Sequence, residues 1–489
     1  MVSLKLNEFT FGFADAEKEY AREREIFKHS FYDPNNIINQ LLHTQKFMIV
    51  GRKGVGKTAF LSKIKYLSDN DDKLNTYSLK LNDFEYSTFS KTSIEKNTMG
   101  TQKYKDSWDF LMLLLISKIL YSNYDHYENN ELVELLAFLE EIGFNNMALT
   151  EYKRDIKQLT KMKKGVNVKG IGASFEKEFG YKPDDFVEQM SMLNSKIMNV
   201  ITKSYNGDNN VYLLIDGLDD ILRYKKEQLD ILTSLIRSVN YLNDKFYEEN
   251  VGFKIILSIR EDILDKVTDP DLNKIKRDGA VRLDWSKNIS NLKSIVQLRL
   301  MYSGINQQEA DKFLENLFPK KVRSKESWYY ILDHTLYKPR DILQFMITCQ
   351  ELFPNKSFLT FSHLKTAMKN YSSDYFINEM KDELSGFSDD EMINCLPQIF
   401  KSIGSKKFTF VEFKQQFTKQ HSLKNIEESD LKLLLISLFN SGYIGQLIYV
   451  NNQKKASVNF KYRNPNTTLD IDSTFIIHQG IQFGLGVIL

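Results

Sequence analysis

The segment KFMIVGRKGVGKT, Lys46 to Thr58, constrains this chain more than any other feature. It is an apolar run ending in Gly-x-x-x-x-Gly-Lys-Thr, an order that calls for a buried strand, a glycine-rich turn and a helix in direct succession. Phe47 to Val50 read as the strand and Ala59 to Leu67 as the helix. Glycine at 51, 54 and 56 lets the backbone wrap closely enough for its N–H groups to face phosphate oxygens. The expected nucleotide-binding segment therefore runs from Gly51 through Arg52, Lys53, Gly54, Val55 and Gly56 to Lys57, Thr58 and Ala59. Lys57 would reach the β and γ oxygens, and the Thr58 hydroxyl would ligate Mg²⁺.

Two further apolar runs read as core strands. Val211 to Ile215 is followed at once by Asp216-Gly217-Leu218-Asp219-Asp220, and Phe253 to Ile259 ends in Arg260. Strands alternating with helices predict a parallel sheet covered on both faces, with ligands beyond the carboxyl ends of the strands. A phosphate loop holding Mg·ATP needs a carboxylate that fixes the metal through water, and Asp216 is the expected metal residue. Asp219 or Asp220 would orient the attacking water. Arg260 is expected to sense γ-phosphate charge by a bidentate contact, its alternative being a salt bridge with Glu261 or Asp262. Arg340, just after Pro339 at a helix start, would reach the phosphates from a second domain and couple nucleotide state to domain angle; its alternative is a solvated helix residue. A guanine reader of the Asn-Lys-x-Asp type is not matched, because Asn273-Lys274-Ile275-Lys276 lacks the final Asp, so ATP is the expected nucleotide.

The 489 residues are too many for one ordinary core. The expected division is a helical lead-in over 1–44, a phosphate-loop core over 45–286 with a helical insertion at about 83–205, a helical lid over 287–375, and a winged-helix domain with its tail over 376–489. Within the insertion, Ser107 to Tyr121 and Glu131 to Ile142 read as amphipathic helices, and the Gly-punctuated stretch Lys164 to Phe179 as a hairpin. In the last domain Ser388-Asp389-Asp390-Glu391 and Thr409-Phe410-Val411-Glu412 have the form of capping boxes. A third helix is expected from about Glu428 to Asn440, ended by Gly442, followed by alternating runs Tyr443 to Val450 and Ala456 to Arg463 joined through Asn451 to Lys455. The fold class is thus α/β: a P-loop NTPase core with a parallel sheet and helical insertion, then an α-helical lid and a winged-helix domain.

Lys+Arg 66 against Asp+Glu 64 gives a net charge of +2, which is no polyanion-binding signature for the molecule as a whole. Cys349 and Cys395 cannot form a disulfide framework and lie outside metal spacing. The first residues lack a basic region followed by an apolar stretch, and no apolar run reaches the ~18 residues needed to span a bilayer. A cytoplasmic protein without a membrane partner is expected.

FGFADAEKE near the start, GRKGVGKT, LLIDGLDD, IILSIR, VRLDW and YKPRDILQF together resemble bacterial P-loop ATPases of the STAND and related AAA+ type, over roughly residues 8 to 375. The resemblance implies that Lys57 and Thr58 correspond to Walker A, Asp216 and Asp219 to Walker B, Arg260 to sensor 1 and Arg340 to sensor 2. It also implies a winged helix after the lid, and, for many bacterial relatives, a role in defence against phage. No nuclease, protease, death-fold or repeat pattern is recognised.

The leading expectation is an ATP-binding, slowly hydrolysing switch whose nucleotide state controls self-association into a homo-oligomer or the binding of a protein partner or effector. The alternative is a DNA-binding ATPase of the initiator or loader kind. A helix-turn-helix reader inserts the start of its last helix into the major groove, yet here that start carries Glu427, Glu428 and Asp430. Between 385 and 450 seven Lys balance seven acidic residues, so nucleic acid is not the favoured partner. A small-molecule kinase fits a lid and winged helix poorly.

Overall fold

In the computed structural model the described residues are 4–82, 84–93, 103–123, 130–144, 151–164, 171–207, 209–218, 226–267, 269–420, 426–449 and 456–486. They form two units, neither of them a single stretch of chain. One comprises residues 36–51 and 63–282; the other comprises 1–35, 52–62 and 283–489.

The first unit is built on a five-stranded parallel sheet of β1 (Met48–Gly51), β2 (Leu74–Lys80), β3 (Asn210–Asp216), β4 (Phe253–Arg260) and β5 (Ala280–Arg282), in the order β2-β3-β4-β1-β5. From Met48 to Val50 every residue of β1 is buried, as a central strand covered on both faces requires. The sequence expectation omitted β2. It is an edge strand, half exposed along most of its length, and so lacks the apolar run that marks β3 and β4.

Helix Lys105–Asn123 carries the insertion. From Trp108 to Leu120 its apolar side chains are buried on every face, because helices Phe186–Ser204 and Lys226–Glu248 pack on it. The expected hairpin between Lys164 and Phe179 is corrected by helix Ile171–Phe179. Ile171, Phe175 and Phe179 are four apart and share one face, where Phe175 meets Phe138 and Phe179 at 5.6 and 5.5 Å. Residues 165–170 lie outside the described residues.

The second unit begins with an N-terminal segment tied to residues far along the chain. Leu6 and Asn7 donate backbone hydrogen bonds to the carbonyls of Lys356 and Pro354, and the Gln350 side chain donates to the carbonyls of Leu6 and Phe9. Gly12 has φ +65, and a Cβ there would stand 2.2 Å from Glu19 Oε2 and 2.5 Å from Arg299 Nη1, the buried ion pair that closes over it. Only glycine fits that FGF turn.

Helices Asn291–Tyr302, Gln307–Leu317, Ser327–Leu332 and Pro339–Leu352 follow, with a small antiparallel pair of β6 (Lys321–Val322) and β7 (Lys325–Glu326) among them. The run from Phe361 to Leu384 is helical throughout, with a π-helical segment at Tyr371–Phe376. Helices Asp390–Ile403, Phe410–Thr418 and Glu428–Ser441 come next. Thr409 and Glu412 form the expected capping box, whereas the first of these helices is capped by Asp389 and not by Ser388. The Asp389 carboxylate accepts from two backbone N–H groups, Glu391 and Met392, which a hydroxyl one residue earlier does not match. Gly442, at φ +88, ends the third helix. The paired strands β9 (Ile444–Tyr449) and β10 (Ala456–Asn459) are joined by β8 (Lys407–Phe408) and β11 (Phe475–Ile477) in a four-stranded antiparallel sheet ordered β10-β9-β11-β8. Residues 450–455, the expected turn, lie outside the described residues.

In the insertion Lys118 Nζ meets Asp155 Oδ2 at 2.8 Å, with both side chains almost fully buried. Lys118→Met alone would leave a buried carboxylate unpaired and should cost about 3–5 kcal/mol of stability. Lys118→Met combined with Asp155→Leu should recover most of it. Chemical denaturation of the two variants checks this.

Candidate nucleotide-binding site

The strand, loop and helix demanded by the glycine motif are all present. β1 ends at Gly51, and helix Lys57–Ser68 opens on the motif lysine. Gly54 and Gly56 have φ +81 and +101, backbone conformations that side chains rarely adopt. The Phe60 N–H donates to the Gly56 carbonyl at 3.2 Å, so the helix's own hydrogen bonding begins at the last glycine of the turn. A turn free of Cβ atoms at its two left-handed positions, leading into such a helix start, fits a triphosphate. Lys57 is buried and its ammonium donates to the Arg52 carbonyl at 3.2 Å.

The loop itself, residues 52–62, groups with 283–489. Trp285 Nε1 donates to the Val55 carbonyl at 3.0 Å, and Val55 is buried. Arg52 Nη2 donates to the Leu336 carbonyl at 2.8 Å. Arg340 lies at the same loop: a Cβ built on Gly54 would be 3.3 Å from Lys338 Cδ and 3.8 Å from Arg340 Cβ. Pro339 opens the helix with its ring at a position that needs no N–H donor, and Arg340 follows it, 3.7 Å from Glu379 Oε2. The turn before this helix is fixed by Asp341, which accepts from the Leu336 N–H at 2.8 Å and from the Tyr375 hydroxyl at 3.0 Å. Burial pushes the Asp341 carboxyl up from its ordinary pKa. Lys338 is buried against Glu383, which also accepts from the Tyr443 hydroxyl at 3.0 Å.

In the first unit Gly51, Arg260 and Asp216 stand at the carboxyl ends of three adjacent strands. Gly51 of β1 pairs in register with Arg260 of β4, and β4 pairs with β3, which ends at Asp216. This is where an open parallel sheet offers a ligand its place. The Gly217 N–H donates to Asp216 Oδ1 at 2.9 Å, and Gly217 sits at φ +79 with Asn82 so close that a Cβ would fall 1.6 Å from its Oδ1. Arg260 is buried and held bidentately by Asp262, at 3.0 and 2.7 Å, the alternative contact weighed for it from sequence. Asp219 and Asp220 lie outside the described residues.

Sequence reasoning missed Trp285 as a partner of the loop and gave the Arg52 side chain no role. A tryptophan in VRLDW was visible, but nothing in its spacing ties it to Val55 across 230 positions.

These features define a parallel α/β fold with a phosphate loop after its first strand. Residues 290–378 match the family described as the FunZ-associated C-terminal helical domain. The chain is 19% identical, over 98% of its own length and 67% of the relative's, to a protein of Escherichia coli (strain K12) described as "Putative transposon gamma-delta 80.3 kDa protein". It is also similar to the solved structure of the Aeropyrum pernix ORC1 protein in complex with DNA, at 8% identity, with 95% of this chain and 92% of that one covered and a TM-score of 0.37.

Trp285→Phe keeps most of the ring and leaves the buried Val55 carbonyl without its donor. It should cost about 1–3 kcal/mol, read as a fall in the thermal midpoint of the purified protein, and nucleotide should restore part of the loss.

Proposed function

We propose that the chain binds Mg·ATP at Gly51 to Ala59 and hydrolyses it slowly, and that nucleotide state controls self-association or the binding of a protein partner. The observation that carries this reading is the turn after β1 in which Gly54 and Gly56 take left-handed conformations, with Arg340 packed against Gly54. The loop N–H groups and the start of the helix hold phosphate oxygens, and Lys57 leaves the Arg52 carbonyl to offset their charge. Thr58 and Asp216 are the residues assigned to Mg²⁺, which supplies charge neutralisation when bound. Asp219 or Asp220 orients the water. Arg340, already at the loop, reads the terminal phosphate; Arg260 joins it only by exchanging Asp262 for phosphate. The winged-helix reading of residues 376–489 rests on three helices followed by antiparallel strands. A place in phage defence rests on the resemblance alone.

A second reading, an ATPase acting on DNA, is favoured by the likeness along nearly the whole chain to a protein named for a transposon. Charge weighs against it. Helix Glu428–Ser441 opens on Glu428, which is bridged by Lys414 and Lys432, beside acidic Glu427 and Asp430. A DNA affinity that falls steeply between low and moderate salt, measured by fluorescence anisotropy, would promote this reading over the first.

Calorimetry with ATP and ADP tests the binding site. Lys57→Ala should weaken both by more than about tenfold, and equal affinity in the two proteins would remove the phosphate-loop assignment. Arg340→Ala should still bind nucleotide yet lose any difference in sedimentation between the ADP and ATP forms, because the contact that distinguishes the two states is gone. An unchanged difference would make Arg340 an ordinary lid residue.

A further inference from the structure

The side chain of Arg52 plays no part in holding phosphate in the proposed function, yet it sits in a built setting. Nη2 donates to the Leu336 carbonyl, and the guanidinium carbon lies 5.2 Å from the centroid of the Tyr462 ring. Nη1 is buried with no hydrogen-bond partner. The two groups it touches come from different parts of the chain. Leu336 precedes the Tyr337-Lys338-Pro339-Arg340 turn, and Tyr462 follows β10 in the C-terminal part.

Both groups are held in place. The Leu336 N–H is bound by buried Asp341. The Tyr462 hydroxyl accepts from Arg463 Nε at 3.0 Å and lies 3.0 Å from His478 Nε2. His478 Nδ1 accepts from the Gly480 N–H at 3.0 Å, so Nε2 carries the proton and donates to the Tyr462 oxygen. Leu336 and Tyr462 meet over Gly442, where a Cβ would be 2.7 Å from Tyr462 Cδ1 and 3.2 Å from Leu336 Cδ2. Tyr337, next to Leu336, has φ +55, an unfavourable backbone for a bulky residue that persists only where its surroundings hold it.

We propose that Arg52 is a positioning residue that latches the phosphate loop to the C-terminal part of the chain, so that nucleotide release and loosening of the C-terminal sheet occur together. The guanidinium is held by one hydrogen bond and by one face on a ring, its second nitrogen buried without a partner. A shift of the loop by about an ångström breaks the hydrogen bond and the ring contact at once. Because Arg52 is part of the loop that holds phosphate, the two events share one coupling energy, and coupling is reciprocal. Loosening the C-terminal grip must change the loop's hold on nucleotide, and the reverse. The proposal takes the phosphate-loop reading as given.

The test uses the full chain and four variants: Arg52→Ala, Arg52→Lys, Tyr462→Leu and Tyr462→Phe. Release of a fluorescent ADP analogue is followed by stopped flow, and amide hydrogen exchange at 444–449 and 475–477 is measured without nucleotide. Arg52→Ala, which loses one hydrogen bond and one cation–ring contact, should speed release about tenfold, and Tyr462→Leu, which loses the ring contact alone, should speed it by less. The double variant should be no faster than Arg52→Ala alone, since Arg52→Ala has already removed the ring contact. Tyr462→Phe, which keeps the ring but loses the hydroxyl bonds that hold it, should release more slowly than Tyr462→Leu, and Arg52→Lys should fall between wild type and Arg52→Ala. Exchange in both strands should rise in Arg52→Ala, whose C-terminal sequence is untouched. Wild-type release in Tyr462→Leu, or additive effects in the double variant, would overturn the latch. Failure of the nucleotide reading would appear separately, as no nucleotide binding by wild type; exchange then decides the latch alone, and unchanged exchange in Arg52→Ala rejects it.

Discussion

Two hydrogen bonds tie the glycine-rich loop into the second unit: Trp285 donates to its Val55 carbonyl, and its own Arg52 donates to the Leu336 carbonyl. A glycine-rich turn has little conformational preference of its own, because the residues that let it wrap a phosphate also let it adopt other shapes. Holding it by its own carbonyl and by the side chain at its start restricts the loop without obstructing its N–H groups. The cost of ordering glycine is then offset by aromatic and helical packing supplied from residues after 283.

The core strands and the loop were legible because they are the most strongly patterned parts of the chain. Continuous apolar runs such as Leu213 to Ile215 and Ile255 to Leu257 can only be buried, and the glycine spacing has few other uses. Helices with capping residues and glycine stops, such as Phe410–Thr418 and Glu428–Ser441, were legible for the same reason. β2 was not, since an edge strand carries a mixed pattern. Helix Ile171–Phe179 was misread because glycines beside a short amphipathic helix look like turn punctuation around alternating residues. The roles expected for Lys57, Asp216 and Arg340 came from local motifs. The Trp285, Leu336 and Tyr462 contacts could not be read that way, because they are made by tertiary packing between residues hundreds of positions apart and leave no periodic trace.

The polar groups around Arg340 are largely matched with one another. Asp341 is spent on the Leu336 N–H and the Tyr375 hydroxyl, and Lys338 is matched by Glu383. Arg340 is left with Glu379 at 3.7 Å, a distance that gives Coulomb attraction without a short hydrogen bond. Arg260 is the opposite case, gripped at 2.7 Å by Asp262, and its sequence position alone could not distinguish the two.

The N-terminal segment has a consequence for how the protein is made. Leu6 is bonded to Gln350, and Glu19 to Arg299, so this segment's partners are translated some three hundred residues after it. At about 5–20 residues per second that is a wait of roughly 15 to 60 s. During it Leu6, Phe9 and Phe11, all buried in the finished protein, have none of those later partners to pack against. The second unit therefore assembles only after synthesis has passed through both ends of its discontinuous sequence, while the sheet-bearing unit can complete its strands by residue 282. Until then those apolar side chains stay without the burial they have in the folded form, whatever its stability.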